Sequence, residues 1–274
     1  QDRLLGLYYT IAIDGTGHLS LSRRHCEHCL KRTIKGTTFY LHQALEAKLV
    51  LPTLGMALSV GTEFIENERE DVPKQDCELK AFYRLAQKLK SDFPQLNICL
   101  LMDSLYAAKP VMDICKRYQW HFLITFKEGS ASAVFQDYEG LLKLTRENGL
   151  RDQNNETGDF QNYRWVNAVD WLGRAVHILE NKEETPEGEK RFVWVSSIRA
   201  DIDNIRHLAQ KGEGGRCRWM IENQGFNIQK NGGYGLGHPF SKNNWAMKNF
   251  YLLMQMGHIF NQLMEKGNLL RERI

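Results

Sequence analysis

The stretch Asn97-Ile-Cys-Leu-Leu-Met-Asp103 decides the fold class, because it is an apolar run that reads as a strand and closes on a carboxylate. Upstream, Gln75 to Lys90 carries Leu79, Phe82, Tyr83, Leu85, Ala86 and Leu89 at helical spacing, and Pro94 follows its end. Downstream, Pro110 to Tyr118 sets Val111, Ile114 and Cys115 on one helical face, and His121 to Phe126 reads as the next strand. Farther back, residues 5 to 13, Tyr40 to Leu51 and Gly55 to Phe64 read as three more strands. The resulting β-β-β-α-β-α-β order predicts an α/β fold with a mixed sheet flanked by helices.

Between residues 130 and 205 the texture changes. A helix at Val134 to Leu144 leads to strand-like runs at Phe160 to Val169, Arg174 to Glu180 and Phe192 to Ile198, joined by polar turns at Asn154-Asn155 and Glu183 to Lys190. This block reads as a mostly β insertion. A helix near Ile202 to Ala209, a break at Gly212 to Gly215, a helix carrying Glu222 and a glycine-rich turn at Asn231 to Gly237 follow. The last element is a long helix from about Asn243 to Lys266, with Ser241 as its expected cap. Its Trp245, Phe250, Tyr251, Leu252, Met254, Ile259, Phe260 and Leu263 recur at helical spacing and are expected to pack in the core.

A chain of 274 residues, 42% hydrophobic and 25% charged, can bury a sizeable core as one large domain or a domain with an insertion. No apolar run approaches the roughly 20 residues of a membrane span, and no signal peptide is evident, so no membrane contact and a cytoplasmic protein are expected. The net charge of +3 permits nucleic-acid binding through local patches such as Arg23-Arg24, Lys31-Arg32 and Arg216 with Arg218. The six cysteines form no secreted disulfide pattern.

Three carboxylates stand out: Asp14, which closes the run Tyr8-Tyr-Thr-Ile-Ala-Ile13 before Gly15-Thr16-Gly17, Asp103, and Glu222 between cationic side chains. Carboxylates are hard oxygen ligands suited to Mg²⁺ or Mn²⁺, and three converging acids can serve a two-metal site for in-line displacement at phosphorus. Arg218 precedes Glu222 by four residues, so on a continuous α-helix both share a face, and the guanidinium can hold the carboxylate or a phosphate. Read singly, each acid has a plainer use: a turn former at Asp14, a helix N-cap at Asp103, a surface ion pair at Glu222.

Taken together, Asp14-Gly-Thr, Leu-Met-Asp103-Ser-Leu-Tyr106 and Arg218-Trp-Met-Ile-Glu222-Asn-Gln-Gly-Phe-Asn-Ile-Gln-Lys230 resemble the DDE transposases of bacterial insertion sequences. Gln75-Asp-Cys-Glu78, Phe192-Val-Trp-Val-Ser-Ser197 and Gly233-Tyr-Gly-Leu-Gly-His238 extend the likeness over nearly the whole chain. The resemblance implies an RNase H-like core over residues 1–129 and 206–274, interrupted by a β insertion at 130–205. It implies a metal-binding triad of Asp14, Asp103 and Glu222, with Arg218, Arg216 and Lys230 as DNA contacts. The substrate would be double-stranded DNA, at transposon ends and target, cut and joined by a homodimer in a bacterial cytoplasm. Because the chain starts at Gln1 and enters a strand at once, an N-terminal DNA-binding region is expected to precede it. A nuclease without strand transfer and an inactive DNA-binding remnant are the alternative readings. The chain departs from the related Tyr, Arg, Glu, Lys signature twice: Gly215 stands where the tyrosine would be, and Gln229 where the lysine would be, with Lys230 one step later.

A second metal site is suggested by His25-Cys26-Glu27-His28-Cys29, which contains the Cys-x₂-Cys spacing of half a zinc site. Cys77 and one of His25, His28 or His42 are expected to complete a structural Zn²⁺ centre that pins the connection between the first two strands. Two cysteines in a polar loop without metal are the alternative. Cys217 reads as a packing residue and His238 as structural.

Overall fold

The computed structural model describes residues 2–153, 158–210 and 212–267. In chain order the elements are β1 (Tyr9–Leu21), β2 (Leu30–Ile34), β3 (Thr37–Leu51), β4 (Met56–Ile65), α1 (Glu78–Asp92), β5 (Ile98–Met102), α2 (Lys109–Tyr118), β6 (His121–Thr125), α3 (Ser132–Leu144), β7 (Gly149–Gln153), β8 (Phe160–Asp170), β9 (Ala175–Thr185), β10 (Gly188–Ser196), α4 (Ile205–Ala209), α5 (Ile228–Asn231) and α6 (Asn244–Lys266). The protein is mixed α/β with a large mixed sheet, of strand order β2-β3-β1-β5-β6-β10-β9-β8-β7 and with β4 also paired to β3.

Two compact units divide the described residues, and β1 contributes to both. One unit takes residues 2–11 and 96–218. In it β5 and β6 run parallel, joined by α2, whose Val111, Met112 and Cys115 are buried. β10 then pairs antiparallel with β6, and β9, β8 and β7 follow as an antiparallel meander. The β-rich block is thus a direct extension of the β5–β6 sheet. The Asn154-Asn155 turn lies outside the described residues.

The other unit takes residues 12–95 and 219–267. Here β2 and β3 form a hairpin closed by Lys35 and Gly36 at φ 48° and 80°, the pair of left-handed residues that a two-residue hairpin needs. β3 and β4 pair antiparallel, and α1 buries Ala81, Phe82, Leu85, Ala86 and Leu89. Asn243, not Ser241, caps α6, its side chain accepting from the Ala246 N–H at 3.1 Å.

Three expectations need correction. First, β1 does not end at Ile13 but runs on to Leu21, so Asp14 lies inside a strand. Glycine in a strand marks a close approach as readily as a break, and a Cβ at Gly15 would stand 2.6 Å from Oε1 of Glu78. Second, the Glu222 segment is not one α-helix: Gly214–Trp219 is 3₁₀, Ile221–Asn227 is π-helical, and α5 follows. The continuous α-helix from which a shared face was argued for Arg218 and Glu222 is therefore not what the chain forms there. Third, the apolar stripe of α6 is mostly not its core face: of its members Tyr251 is buried as expected, but others are not. Trp245 (76%) and Phe260 (59%) are exposed, whereas Met247, Tyr251, Gln255, His258 and Gln262 are buried. Polar side chains face inward because they have specific partners there: Gln262 brackets the Ala57 backbone, accepting from its N–H at 2.8 Å and donating to its C=O at 3.1 Å.

Candidate metal centre

The loop between β1 and β2 brings His25, Cys26 and Cys29 to the start of the β2–β3 hairpin. Leu30 pairs with Leu41 across that hairpin, so one further step of the antiparallel register sets Cys29 opposite His42 on β3. The four ligand atoms converge within 4.8 Å of one another, the one such Cys/His/Asp/Glu group found among the described residues. The Cys26 and Cys29 sulfurs are 3.7 Å apart. His42 Nε2 lies 3.3 Å from Cys26 Sγ and 3.4 Å from Cys29 Sγ, and His25 Nδ1 lies 3.2 Å from Cys29 Sγ.

These separations fit zinc. Bond lengths of ~2.3 Å to sulfur and ~2.0–2.1 Å to nitrogen, at tetrahedral angles, put two sulfurs about 3.8 Å apart and sulfur and nitrogen about 3.5 Å apart. A disulfide needs only ~2.05 Å between sulfurs, and the cysteines are free. The donor set Cys₂His₂ is a closed structural one. Burial also favours it. Cys29 is fully buried and His42 nearly so. Desolvation raises the Cys26 thiol to about 11 and lowers His42 to about 4, and it lowers His25 as well. The imidazoles are therefore neutral and ready to ligate, and a metal would supply the positive charge that thiolates lack here.

The expected ligand Cys77 is excluded from this group. It stands exposed at the N-cap of α1, and His25 takes its place. His28 also stands outside the group, and its Nδ1–H donates to the Asn67 carbonyl at 2.8 Å. Asn67, which the sequence reading missed, braces the loop: its N–H donates to the His28 carbonyl at 3.1 Å and its side-chain amide to the Cys29 carbonyl at 3.0 Å. Its side-chain Oδ1 accepts from the Asp76 N–H at 3.1 Å, tying the loop to the entry of α1. Gln75 continues this attachment by donating to the Lys31 carbonyl at 3.0 Å and accepting from the Lys31 N–H at 2.5 Å.

The three acids are disposed as follows. Asp14 lies half-buried on β1, accepting from the Gly15 N–H at 2.9 Å. Glu222 is exposed on the π-helical segment of the same unit. Asp103, in the other unit, follows β5 directly and caps a 3₁₀ turn by accepting from the Leu105 N–H at 2.9 Å. Among the basic residues, Lys230 is exposed and Arg218 half-buried. Arg216 is engaged within its unit, 3.6 Å from the Glu183 carboxylate and stacked 3.7 Å over the Phe192 ring. At Gly215 a Cβ would stand 2.4 Å from Trp194 Nε1, so the indole of β10 fills the space a side chain would need. Cys217 is buried, as expected of a packing residue.

No family model and no curated protein matches the chain.

Proposed function

We propose that the chain is the catalytic part of a DDE transposase, which cleaves double-stranded DNA at transposon ends and joins the 3′-OH to target DNA. The observation that carries the reading is the conjunction of topology and motif order. Discounting the short β2, the elements run β-β-β-α-β-α-β with strand order β4-β3-β1-β5-β6, compatible with an RNase H-like core, and the acids fall on β1, just after β5 and on the helical segment beyond β10. Asp14, Asp103 and Glu222 would be the ligands of Mg²⁺ or Mn²⁺, which when bound activates the attacking oxygen and stabilises the leaving one. Glu222, exposed, is free of the burial that would raise the cost of its charge. Arg218 and Lys230 would contact DNA phosphates as fixed cations. Arg216 is better suited to holding β9 and β10 to the segment before Glu222, through Glu183 and Phe192. The Cys₂His₂ centre has no open position for chemistry and would be structural. A crystal soaked in Mn²⁺ tests the ligand set: anomalous density bonded to all three carboxylates is the expected result, and carboxyl groups more than about 10 Å apart, against the ~3.5–4 Å spacing of paired metals, would end the reading.

A further inference from the structure

A fully buried lysine lies under the segment that carries Glu222. β3 and β4 shift register between Ala47 and Lys48, where Val60 is the extra residue on β4. Lys48 and Glu46 are both 0% exposed, with Nζ 3.6 Å from the Glu46 carboxylate. Glu46 also accepts from Ser59 at 2.6 Å, Thr62 at 2.5 Å and Tyr251 at 3.0 Å. Lys48 Nζ donates onward to Gln255 Oε1 at 2.7 Å. The same oxygen accepts from Gln229 Nε2 at 2.7 Å, and Gln229 also donates to His258 Nδ1 at 3.0 Å. Gln229, where the signature lysine would stand, is thus a buried link of this network and not a surface contact.

The stem of Lys48 meets the π-helical segment itself. A Cβ at Gly225 would stand 2.9 Å from Lys48 Cε and 3.0 Å from Cδ, and the Phe226 ring centre is 5.7 Å from Nζ. A side chain there would have to displace the Lys48 stem, on which the glycine lets the backbone rest, three residues after Glu222. A π-turn within a helix often marks a functional site, and here it has a built floor. We infer that Lys48 is a positioning residue for Glu222: its stem supports the π-turn at Gly225, while its ammonium, through Gln255 and Gln229, fixes the α5 turn that follows. The inference rests on the proposed role of Glu222 as a metal ligand.

The test is Mn²⁺ affinity of the full chain, read by electron paramagnetic resonance, in the wild type and in Glu222→Gln, Gly225→Ala and Lys48→Met, with thermal unfolding measured alongside. Glu222→Gln is expected to weaken Mn²⁺ binding at least tenfold, and Gly225→Ala and Lys48→Met at least fivefold at temperatures where they remain folded. If Glu222→Gln weakens binding and the folded Gly225→Ala and Lys48→Met proteins bind as the wild type does, the positioning role is wrong and the metal-ligand role stands. If Glu222→Gln changes nothing, the functional reading fails and the inference with it. Should neither variant fold, hydrogen exchange of the wild type decides: slower exchange on Mn²⁺ addition in both Ile221–Asn227 and the α6 turn around Gln255 supports the coupling, and slower exchange in neither or in only one overturns it.

Discussion

Zinc held by the Cys₂His₂ cluster would brace the β2–β3 hairpin and the entry of α1 together, so its removal should loosen both, because Asn67 links the Cys29 carbonyl to the Asp76 N–H. Four ligand atoms within 4.8 Å of one another form a site that exists only in the folded chain, so metal binding adds to folding stability. With free zinc at one hundred times the dissociation constant the added stability is about 2.7 kcal/mol. At roughly 2–4 °C per kcal/mol for a large domain, stripping the metal should lower Tm by about 5–10 °C. The assay pairs zinc content by elemental analysis with thermal unfolding, before and after chelation, for the wild type, Cys29→Ser, His25→Ala and Cys77→Ser. One zinc per chain is expected in the wild type and in Cys77→Ser, and less in the other two. A wild type without zinc, or a Cys77→Ser protein that loses as much as Cys29→Ser, would refute the ligand assignment.

Further outcomes follow from particular contacts. Gly215→Tyr, which restores the signature residue, should not help the protein: its Cβ would collide with the Trp194 indole, and overpacking of this kind costs about 1–3 kcal/mol, visible as a lower urea midpoint. Burial lowers His258 from 6.5 to about 4, and Nδ1 accepts from Gln229. A depressed folded-state value means that the unfolded chain takes up the proton first. The stability His258 contributes is therefore complete above about pH 6.5 and is lost as pH falls toward 4, and His258→Gln should flatten that part of the stability profile. Arg218→Ala should flatten the salt dependence of DNA binding by about one unit of log–log slope. Arg216→Ala should instead lower Tm, since it leaves the Glu183 carboxylate unpaired, and change the slope little.

The regular part of the fold was legible because its signals are periodic. The apolar positions of α1 and α2 and the short apolar β5 and β6 are read from spacing alone, and all four fall near their expected bounds. Where tertiary partners override local signals the reading went astray. Gly15 and Gly17 suggested the end of a strand, yet β1 continues past them with Glu78 packed at Gly15. The apolar stripe of α6 suggested its core face, yet Gln255, His258 and Gln262 are inside, meeting Lys48, Gln229 and the Ala57 backbone. Spacing also cannot distinguish α from π geometry in Ile221–Asn227, nor show that Gly225 rests against Lys48, far away in sequence. At the candidate metal centre, Cys-x₂-Cys pointed to two members of the cluster. The other two were settled by the hairpin register, which presents His42, and by the turn of the loop, which presents His25 and leaves Cys77 outside.

The central claim is that Asp14, Asp103 and Glu222 together perform metal-dependent DNA strand transfer. Its most direct test is a joining assay, in Mn²⁺, of precut duplexes made from the DNA flanking the coding sequence, with the wild type beside Asp14→Asn, Asp103→Asn and Glu222→Gln. Each variant removes one ligand charge and keeps the side chain's size. Joined 3′-OH product from the wild type, and none from any variant that keeps its fold, its zinc and its DNA binding, is the predicted result. Joining by any one of the three variants at the wild-type rate, or a wild type that binds the duplex and Mn²⁺ but neither cuts nor joins it, would contradict the claim.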